Sequence, residues 1–471
     1  MRIVPFIEPK LSDMQAGFRP ARGCRDNILI LAMSIHHLIE SAADDTRSLG
    51  IITYIDFVAA FDSVLHSYLL TALKQYGVPL KYCRLVEAIY ESATVRVRIQ
   101  EAGGARSYSR NIAIKRGVIQ GDIPSPVCFL VALDKLMKEH GGLNTGIQIT
   151  NNLMLSELEF ADAAIPNKDT ITASLRLSNL DRHAKEQAGM TISIPKTKVQ
   201  HIRPRPRVSE TTENDVTSLP AEKQFQHKCD ACEMTYPTRH GLSVHKGRWC
   251  KRNKRAKKPS RKGTVCDRII KRIKVEQYQN TLDTVKMGNA ELENVYSFVY
   301  LGAEIAGDGD NEVTVSHRID VAWGRYAEYR AILTSTKLPV SMRVRFYVAV
   351  IISTMIYGCC AWLLTDIIKR KLNGVNSKML AMITRNAIHK EAADPTFNII
   401  DYVLQRRWRY LGHVLRLDKE RSVRRYLLEL SPREAPFIAG SLLSDTRFET
   451  VDDMIEAAAN REQWQQTWTD R

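Results

Sequence analysis

Cysteine is scarce in this sequence: nine in 471 residues, an odd number. That excludes a disulfide framework and makes a reducing compartment the expectation. A secretory leader is missing as well, because Met1-Arg2-Ile3-Val4-Pro5 has no apolar core. Secretion is therefore not expected. No internal repeat runs through the chain. Acidic residues are in deficit, 52 against 68 basic, for a net charge of +16. Such an imbalance favours polyanions, nucleic acid first and an anionic membrane surface second.

The deficit is local. Between Lys246 and Lys274 there are 14 basic residues and one acid, Asp267, so this segment alone carries +13. The rest is close to neutral. A hydrophobic fraction of 44% and a charged fraction of 25% exclude disorder over most of the length. The length allows about two to four domains.

One stretch, Phe346 to Thr365, runs twenty residues without a charge, the length of a membrane span. Basic residues flank it on both sides (Arg343 and Arg345; Lys369, Arg370 and Lys371), so charge gives no orientation. Ser353, Thr354, Gly358, Cys359 and Cys360 interrupt it, and a buried core helix is the favoured reading.

Apolar spacing predicts helices over Ile28–Ala42, Leu65–Tyr76, Leu80–Ser92, Ser125–Lys138 and Thr172–Ala188, the last closed by Gly189. Gly50 to Asp56 is β-branched and reads as a buried strand; Thr94 to Gln100 alternates as another. Leu153 to Ile165 reads as two short strands. Arg203 to Leu219 is a polar, Pro-containing linker, and from Val315 to about Leu428 the pattern is mostly helical.

Several short motifs carry chemistry. Asp56 ends the first strand, where a carboxylate needs a cationic partner or serves as a helix cap. Arg116-Gly117-Val118-Ile119-Gln120-Gly121-Asp122-Ile123-Pro124-Ser125-Pro126 makes a defined loop before a helix. Leu158-Glu159-Phe160-Ala161-Asp162 places an Asp at a hairpin tip. Pro195-Lys196-Thr197-Lys198 puts two cations after an apolar strand, and Tyr300-Leu301-Gly302 follows much later.

In this order the motifs resemble a reverse transcriptase of the non-LTR (LINE-type) retrotransposon family. The resemblance runs from about Gln15 to Leu417, broken by the Cys/His segment. It implies an α+β, right-hand polymerase fold with a palm, partial fingers and a helical thumb. It also implies RNA-directed DNA synthesis on an RNA template and DNA primer from deoxynucleoside triphosphates, with no membrane. Gln15-Ala16-Gly17-Phe18-Arg19-Pro20-Ala21-Arg22 looks like the second fingers motif, so Arg19 and Arg22 would face the triphosphate. Asp56 and Asp162 would hold catalytic Mg²⁺, and Phe61 would gate against a 2′-hydroxyl. Gln120 and Gly121 match the loop near the template. Gly189 with Lys196 and Lys198 resembles the motif that follows the catalytic hairpin. Tyr300-Leu301-Gly302 resembles the primer grip. Arg345-Phe346-Tyr347 through Tyr357-Gly358 and Trp362, with Trp408 and Leu411-Gly412-His413-Val414, look like the helical C-terminal region.

Two departures weaken the enzyme expectation. The family has two adjacent aspartates where Asp162 is followed by Ala163-Ala164-Ile165, so an Asp is either deleted or replaced by Ala. A deletion would flip every later side chain on that strand. The chain also opens inside the fingers, as a truncated copy or partial gene product would.

Cys229-x2-Cys232-x12-His245-x4-Cys250 has zinc-finger spacing, and Tyr236 and Leu242 fall where a ββα finger buries its two apolar residues. The alternative is scattered cysteines in a linker. His227 and His240 are off-spacing. The base-reading positions would be Thr238, Gly241 and Val244, none of which pairs bidentately with a purine, so sequence-specific readout is not expected. Lys251, Arg252, Lys254, Arg255, Lys257 and Lys258 abut the finger and are read as phosphate contacts or a nuclear import signal, against a solvated linker.

The expected organisation is partial fingers (1–50), palm with finger elements (51–202), linker (203–227), zinc finger (228–250), basic segment (251–290), palm–thumb junction (291–306), helical thumb or C-terminal region (307–430) and C-terminal tail (431–471). The expected function is reverse transcription impaired by the degenerate hairpin. The rival is a non-catalytic nucleic-acid-binding zinc-finger protein on a decayed polymerase scaffold. The sequence leaves oligomeric state open.

Overall fold

The computed structural model describes residues 2–42, 48–100, 106–140, 146–160, 162–204, 227–228, 235–236, 283–384, 398–430 and 448–469. The chain divides into two compact units, Met1–Pro204 with Thr281–Arg471, and Arg205–Asn280.

The larger unit is built on a five-stranded sheet. β1 (Gly50–Ile55) is central, and all six of its residues are buried. That is why its sequence is a run of β-branched and apolar residues without alternation. In chain order the others are β2 (Leu158–Glu159), β3 (Ala163–Asn167), β4 (Lys198–Ile202) and β5 (Glu293–Asn294), and the spatial order is β5-β4-β1-β3-β2. β1 is antiparallel to both neighbours; β5 joins β4 in parallel.

Period-two alternation sends β1 side chains into two cores. Ile51 and Ile55 enter one, with Phe57, Leu69, Phe129 and Leu180. Ile52 and Tyr54 enter the other, with Ile28, Tyr300, Trp408 and Trp464. Helix α1 (Cys24–Ser41) covers the second face; His66–Gln75, α2 (Ser125–His140) and α3 (Thr170–His183) cover the first. The architecture is mixed α and β. α3 starts two residues before its expected boundary because the Asp169 side chain accepts from Thr172 N at 2.6 Å. It runs into a π-turn, Ala184–Ala188, and ends at Gly189, whose φ of 73° is left-handed.

Four expectations need correction. Phe346 to Thr365 is not one helix. Val340–Phe346 passes into a π-turn at Tyr347–Ile352 and a last turn at Ser353–Met355, and the chain then reverses at Gly358, with φ 75°. Its apolar side chains fill a third core with Ile319, Leu372 and Val403. No helix among the described residues is long and apolar enough to cross a membrane. Thr94–Gln100 is two short strands, Thr94–Val95 and Arg98–Gln100. Leu153–Ile165 contributes to three strands, because Met154–Leu155 and β2 are followed by the start of β3.

The fourth concerns 431–471, expected as a tail. Val451–Ala459 and Arg461–Thr469 are helices. Trp464 is buried and stacks on Trp408 with ring centroids 4.3 Å apart and planes 11° apart. Each indole N–H donates to the other residue's carbonyl, at 3.0 and 3.1 Å.

In the smaller unit, His227–Lys228 and Thr235–Tyr236 pair antiparallel, His227 with Tyr236 and Lys228 with Thr235. Cys229 and Cys232 lie between these strands in sequence. Cys229, Cys232, His245, Cys250 and the basic residues Lys251 to Lys258 lie outside the described residues.

Candidate active site

Register builds the centre of the site. In the β1–β3 ladder Ile55 pairs with Ala163. The next residue outward on β1 is Asp56 and the one preceding Ala163 is Asp162, so two carboxylates 106 positions apart meet at one end of the sheet. Asp162 occupies the turn between β2 and β3, which is closed by Phe160 N donating to Asp162 O at 3.0 Å.

The Asp56 backbone is fixed on both sides. Its carbonyl accepts from Ser193 N at 2.7 Å, and its N–H reaches Thr197 Oγ1 at 3.5 Å. Ser193 also opens the turn that carries Lys196, accepting from Lys196 N at 3.2 Å and Thr197 N at 2.8 Å. That turn brings Lys196 Nζ to 3.2 Å from Asp56 Oδ2. This oxygen is buried and has no hydrogen-bond donor; the Lys196 ammonium is its cationic neighbour. Partial burial, and then the negative charge of Asp56, push the Asp162 carboxyl above the ordinary aspartate range, while Lys196 opposes the rise. A pair of carboxylates, one ion-paired to a lysine and one reluctant to ionise, is a donor set suited to a divalent cation. It is small: among the described residues no group of three or more His, Cys, Asp or Glu could hold a metal.

Ala163 does not supply a third carboxylate position at the surface. It is 1% exposed and belongs to the core with Ile55 and Phe57. Alternation explains this: Asp162 shares a face with Ala164, and Ala163 faces the other way.

Aromatic rings link the segments that carry the pair. Phe61 stacks on Phe129 at 4.2 Å and meets the edge of Phe18 at 6.4 Å; Phe18 lies 5.8 Å from Phe160. The loop after Arg116 is stitched to the same turn, with Gly117 N donating to Val64 O at 2.7 Å and Val118 N to Phe61 O at 2.6 Å. Gly117 has φ 83°, and a Cβ there would sit 2.6 Å from the Asp62 backbone, so only glycine fits. Gln120 Nε2 donates to Asp62 Oδ1 at 3.1 Å, and Gly121 follows with φ 90° in open space.

The structure therefore brings Asp56, Asp162, Phe61, Lys196, Gln120 and Gly121 onto connected segments around one sheet end. It places three expected residues elsewhere. Arg19 does not face outward: its guanidinium is buried and bonded to the Glu8 carboxylate at 2.8 and 3.0 Å and to Gln15 O at 2.8 Å. Arg22 pairs with Asp13 and Glu8. Both hold the N-terminal segment against itself. Lys198, two residues beyond Lys196, begins β4 and turns to Glu293 Oε2 at 2.6 Å.

Other residues of the quoted motifs contribute as supports, a role the sequence did not indicate. Gln15 Nε2 donates to Glu159 Oε2 at 3.1 Å, Ala16 N donates to Glu159 O at 2.9 Å, and a Cβ on Gly17 would lie 2.8 Å from Phe160 O. Gln15-Ala16-Gly17 is thus the backing of the Asp162 hairpin. Glu159 is fully buried beside Asp134 and Glu157, and burial holds its pKa well above the carboxylate range. The only sequence signal was its position three residues before Asp162. Tyr300 OH donates to Leu158 O at 3.0 Å, and the Tyr300-Leu301-Gly302 turn carries left-handed φ at Leu301 (48°) and Gly302 (83°), a tight hairpin reversal.

With this geometry in view, residues 1–202 match the family model described as reverse transcriptase (RNA-dependent DNA polymerase). The chain is 31% identical over 140 residues to the Pol polyprotein of the type-2 retrotransposable element R2DM of Drosophila melanogaster, covering 29% of this chain and 12% of that one. It is 26% identical over 191 residues to a Pol polyprotein of the type-1 retrotransposable element R2 of Popillia japonica, covering 37% of this chain and 26% of that one. The alignments thus span about a quarter or less of these relatives. A structure of telomerase from Candida albicans with a telomeric RNA fragment aligns with 97% of this chain and 55% of that one, at 10% identity and a TM-score of 0.30, too remote to argue from.

Proposed function

We propose that the larger unit is the polymerase module of a non-LTR retrotransposon reverse transcriptase, with the β1–β5 sheet as palm and the segments after Tyr300 as thumb. The observation that carries this is the Ile55–Ala163 pairing, which sets Asp56 against Asp162 inside a segment matching the reverse transcriptase family. The reaction joins a primer 3′-hydroxyl oxygen to the α-phosphorus of a deoxynucleoside triphosphate and breaks the α–β bond, releasing pyrophosphate. Mg²⁺, when held by Asp56 and Asp162, would supply charge neutralisation at the attacked phosphorus.

The chain's own residues do the rest. Lys196 offers the cation nearest the carboxylates and would meet triphosphate oxygens. Phe61, locked by Phe129 and Phe18, would close the space of a 2′-hydroxyl, so the product is DNA. The Gln120-Gly121 loop, tied to Asp62, would lie under the templating pair. With one carboxylate fewer than the family uses, turnover is impaired.

Primer extension on an RNA template with Mg²⁺ tests the reading. Weak extension abolished by Asp56→Asn and by Asp162→Asn is expected. Extension indifferent to Asp56→Asn would refute the palm assignment.

We further propose that Cys229, Cys232, His245 and Cys250 bind one structural Zn²⁺ in the smaller unit. The support is ligand spacing and the His227–Lys228/Thr235–Tyr236 pairing, which flanks the two cysteines as the strands of a ββα finger do. Metal analysis of the full chain should return one zinc, lost in Cys232→Ala. The adjoining basic run would hold phosphates without reading sequence.

A second reading, nucleic-acid binding without catalysis, is favoured by the Lys196–Asp56 ion pair and by the burial of Ala163. Absence of any extension, with RNA binding retained, would select it.

A further inference from the structure

A projecting β-ribbon carries a patch of charge that nothing above uses. Thr94–Val95 pairs with Ile112–Ala113, and Arg98–Gln100 pairs with Arg106–Tyr108. Between the two ladders one strand has two residues and the other three, a bulge that leaves the ribbon continuous: Ser109 N donates to Val97 O at 2.9 Å. Every residue from Thr94 to Gln100 is exposed. At about 3.3 Å per residue the ribbon is about 20 Å long.

Its two faces differ. Val95, Val97 and Ile99 alternate on one. Arg96 and Arg98 alternate on the other, where Arg98 pairs across the ladder with Tyr108 and Gln100 with Arg106. The Arg96 guanidinium lies 5.8 Å from the Tyr108 ring centre, which confirms that the two share a face. Arg110, Lys115 and Arg116 continue the returning strand, so the described ribbon residues hold six cations and no carboxylate. None of the six pairs with an acid among the described residues. Arginines held at two-residue spacing on one face repel one another unless a polyanion covers them. The root of the ribbon fixes its location, since Ile114 N donates to Ala93 O at 3.0 Å and three residues later Gly117 and Val118 join Val64 and Phe61 of the candidate active site.

We infer that the arginine face of this ribbon, Arg96, Arg98 and Arg106 with Tyr108, is a binding site for a nucleic-acid phosphodiester backbone leading to or from the Asp56–Asp162 centre. Guanidiniums take phosphate oxygens bidentately, and the tyrosine adds a stacking surface for a base or sugar. The choice of probe rests on the polymerase reading; the site itself does not.

The test measures equilibrium binding of the full chain against salt, to single-stranded RNA and to an RNA–DNA duplex separately. The triple variant R96A/R98A/R106A should bind with a log K versus log salt slope shallower by about 3 on duplex and about 2 on single strands, the loss of three phosphate contacts. R96K/R98K/R106K should keep the slope. Amide exchange across 94–114 should slow when the bound probe is added to the unaltered chain. A change confined to one probe identifies the backbone that the ribbon holds. An unchanged slope on both probes, or unslowed exchange, would overturn the inference. The polymerase reading fails separately: if extension is absent while the slope change persists, the ribbon site stands alone.

Discussion

Ile55 and Ala163 stand opposite each other in an antiparallel ladder, and that pairing makes Asp56 and Asp162 neighbours. The same register commits Ala163 to the core, so a carboxylate exchanged in at that position would be buried.

Ala163→Asp should lower thermal stability and yield no gain in primer extension. Its side chain would enter the cluster of Ile55 and Phe57 as an unpartnered polar group, a cost of about 2 kcal/mol or more. Inserting an Asp after Asp162 should fare no better, because a one-residue slip turns the buried face of β3 outward. Melting curves and extension assays on both variants decide this; gain of extension at unchanged melting temperature would contradict it.

Lys196→Gln should strengthen Mg²⁺ binding at the carboxylate pair. The ammonium occupies the electrostatic position of a metal, 3.2 Å from Asp56 Oδ2. The lysine is largely exposed, so the ion pair is worth about 0.2–1 kcal/mol and the gain at most about fivefold. Mg²⁺ titration followed by melting temperature reads it. The binding should strengthen as pH rises, since Asp162 holds its proton above the ordinary aspartate range and the metal must displace it.

Glu159→Gln should flatten the dependence of stability on pH. Burial, with Asp134 and Glu157 nearby, raises the Glu159 pKa in the folded chain well above its unfolded value. The folded state therefore binds the proton more tightly, and stability falls as pH climbs from the unfolded pKa towards the folded one. An amide keeps the hydrogen-bonding shape without the charge. Melting temperatures of both proteins across acid to neutral pH should converge at low pH and separate at high pH, with the variant the more stable.

Trp464→Ala should cost about 3–5 kcal/mol, as removal of a buried aromatic does. It also deletes the hydrogen bond given to Trp408 O. Gly412→Ala should destabilise by the same route, because a Cβ there would lie 2.2 Å from Trp464 Nε1. Chemical denaturation measures both, and a neutral Gly412→Ala would show that Trp464 does not seat on that helix.

Local periodicity made much of the larger unit legible. β1 is buried on both faces, so its unbroken apolar run could be read directly, and the helices at His66–Gln75, Leu80–Ser92 and Ser125–His140 lie within two residues of their expected bounds. The C-terminal helices were missed although Thr450-x-x-Asp453 is a capping box, with Asp453 N donating to Thr450 Oγ1 at 3.1 Å. Nothing in that local signal says that Trp464 will find Trp408.

By itself, then, the sequence determined much of the pattern of strands and helices in the larger unit, which carboxylates end them, and where charge accumulates. Tertiary structure decided what those side chains meet. Arg19 and Lys198 carry the same charge as Lys196, yet two are neutralised by Glu8 and Glu293 while Lys196 reaches Asp56. The difference is physical. Helical and strand periods are short-range and follow from neighbours in the chain, whereas strand register and ion pairing join residues far apart, as Gly50 stands opposite Ile202 in the sheet and Arg421 pairs with Asp13 at 3.4 Å.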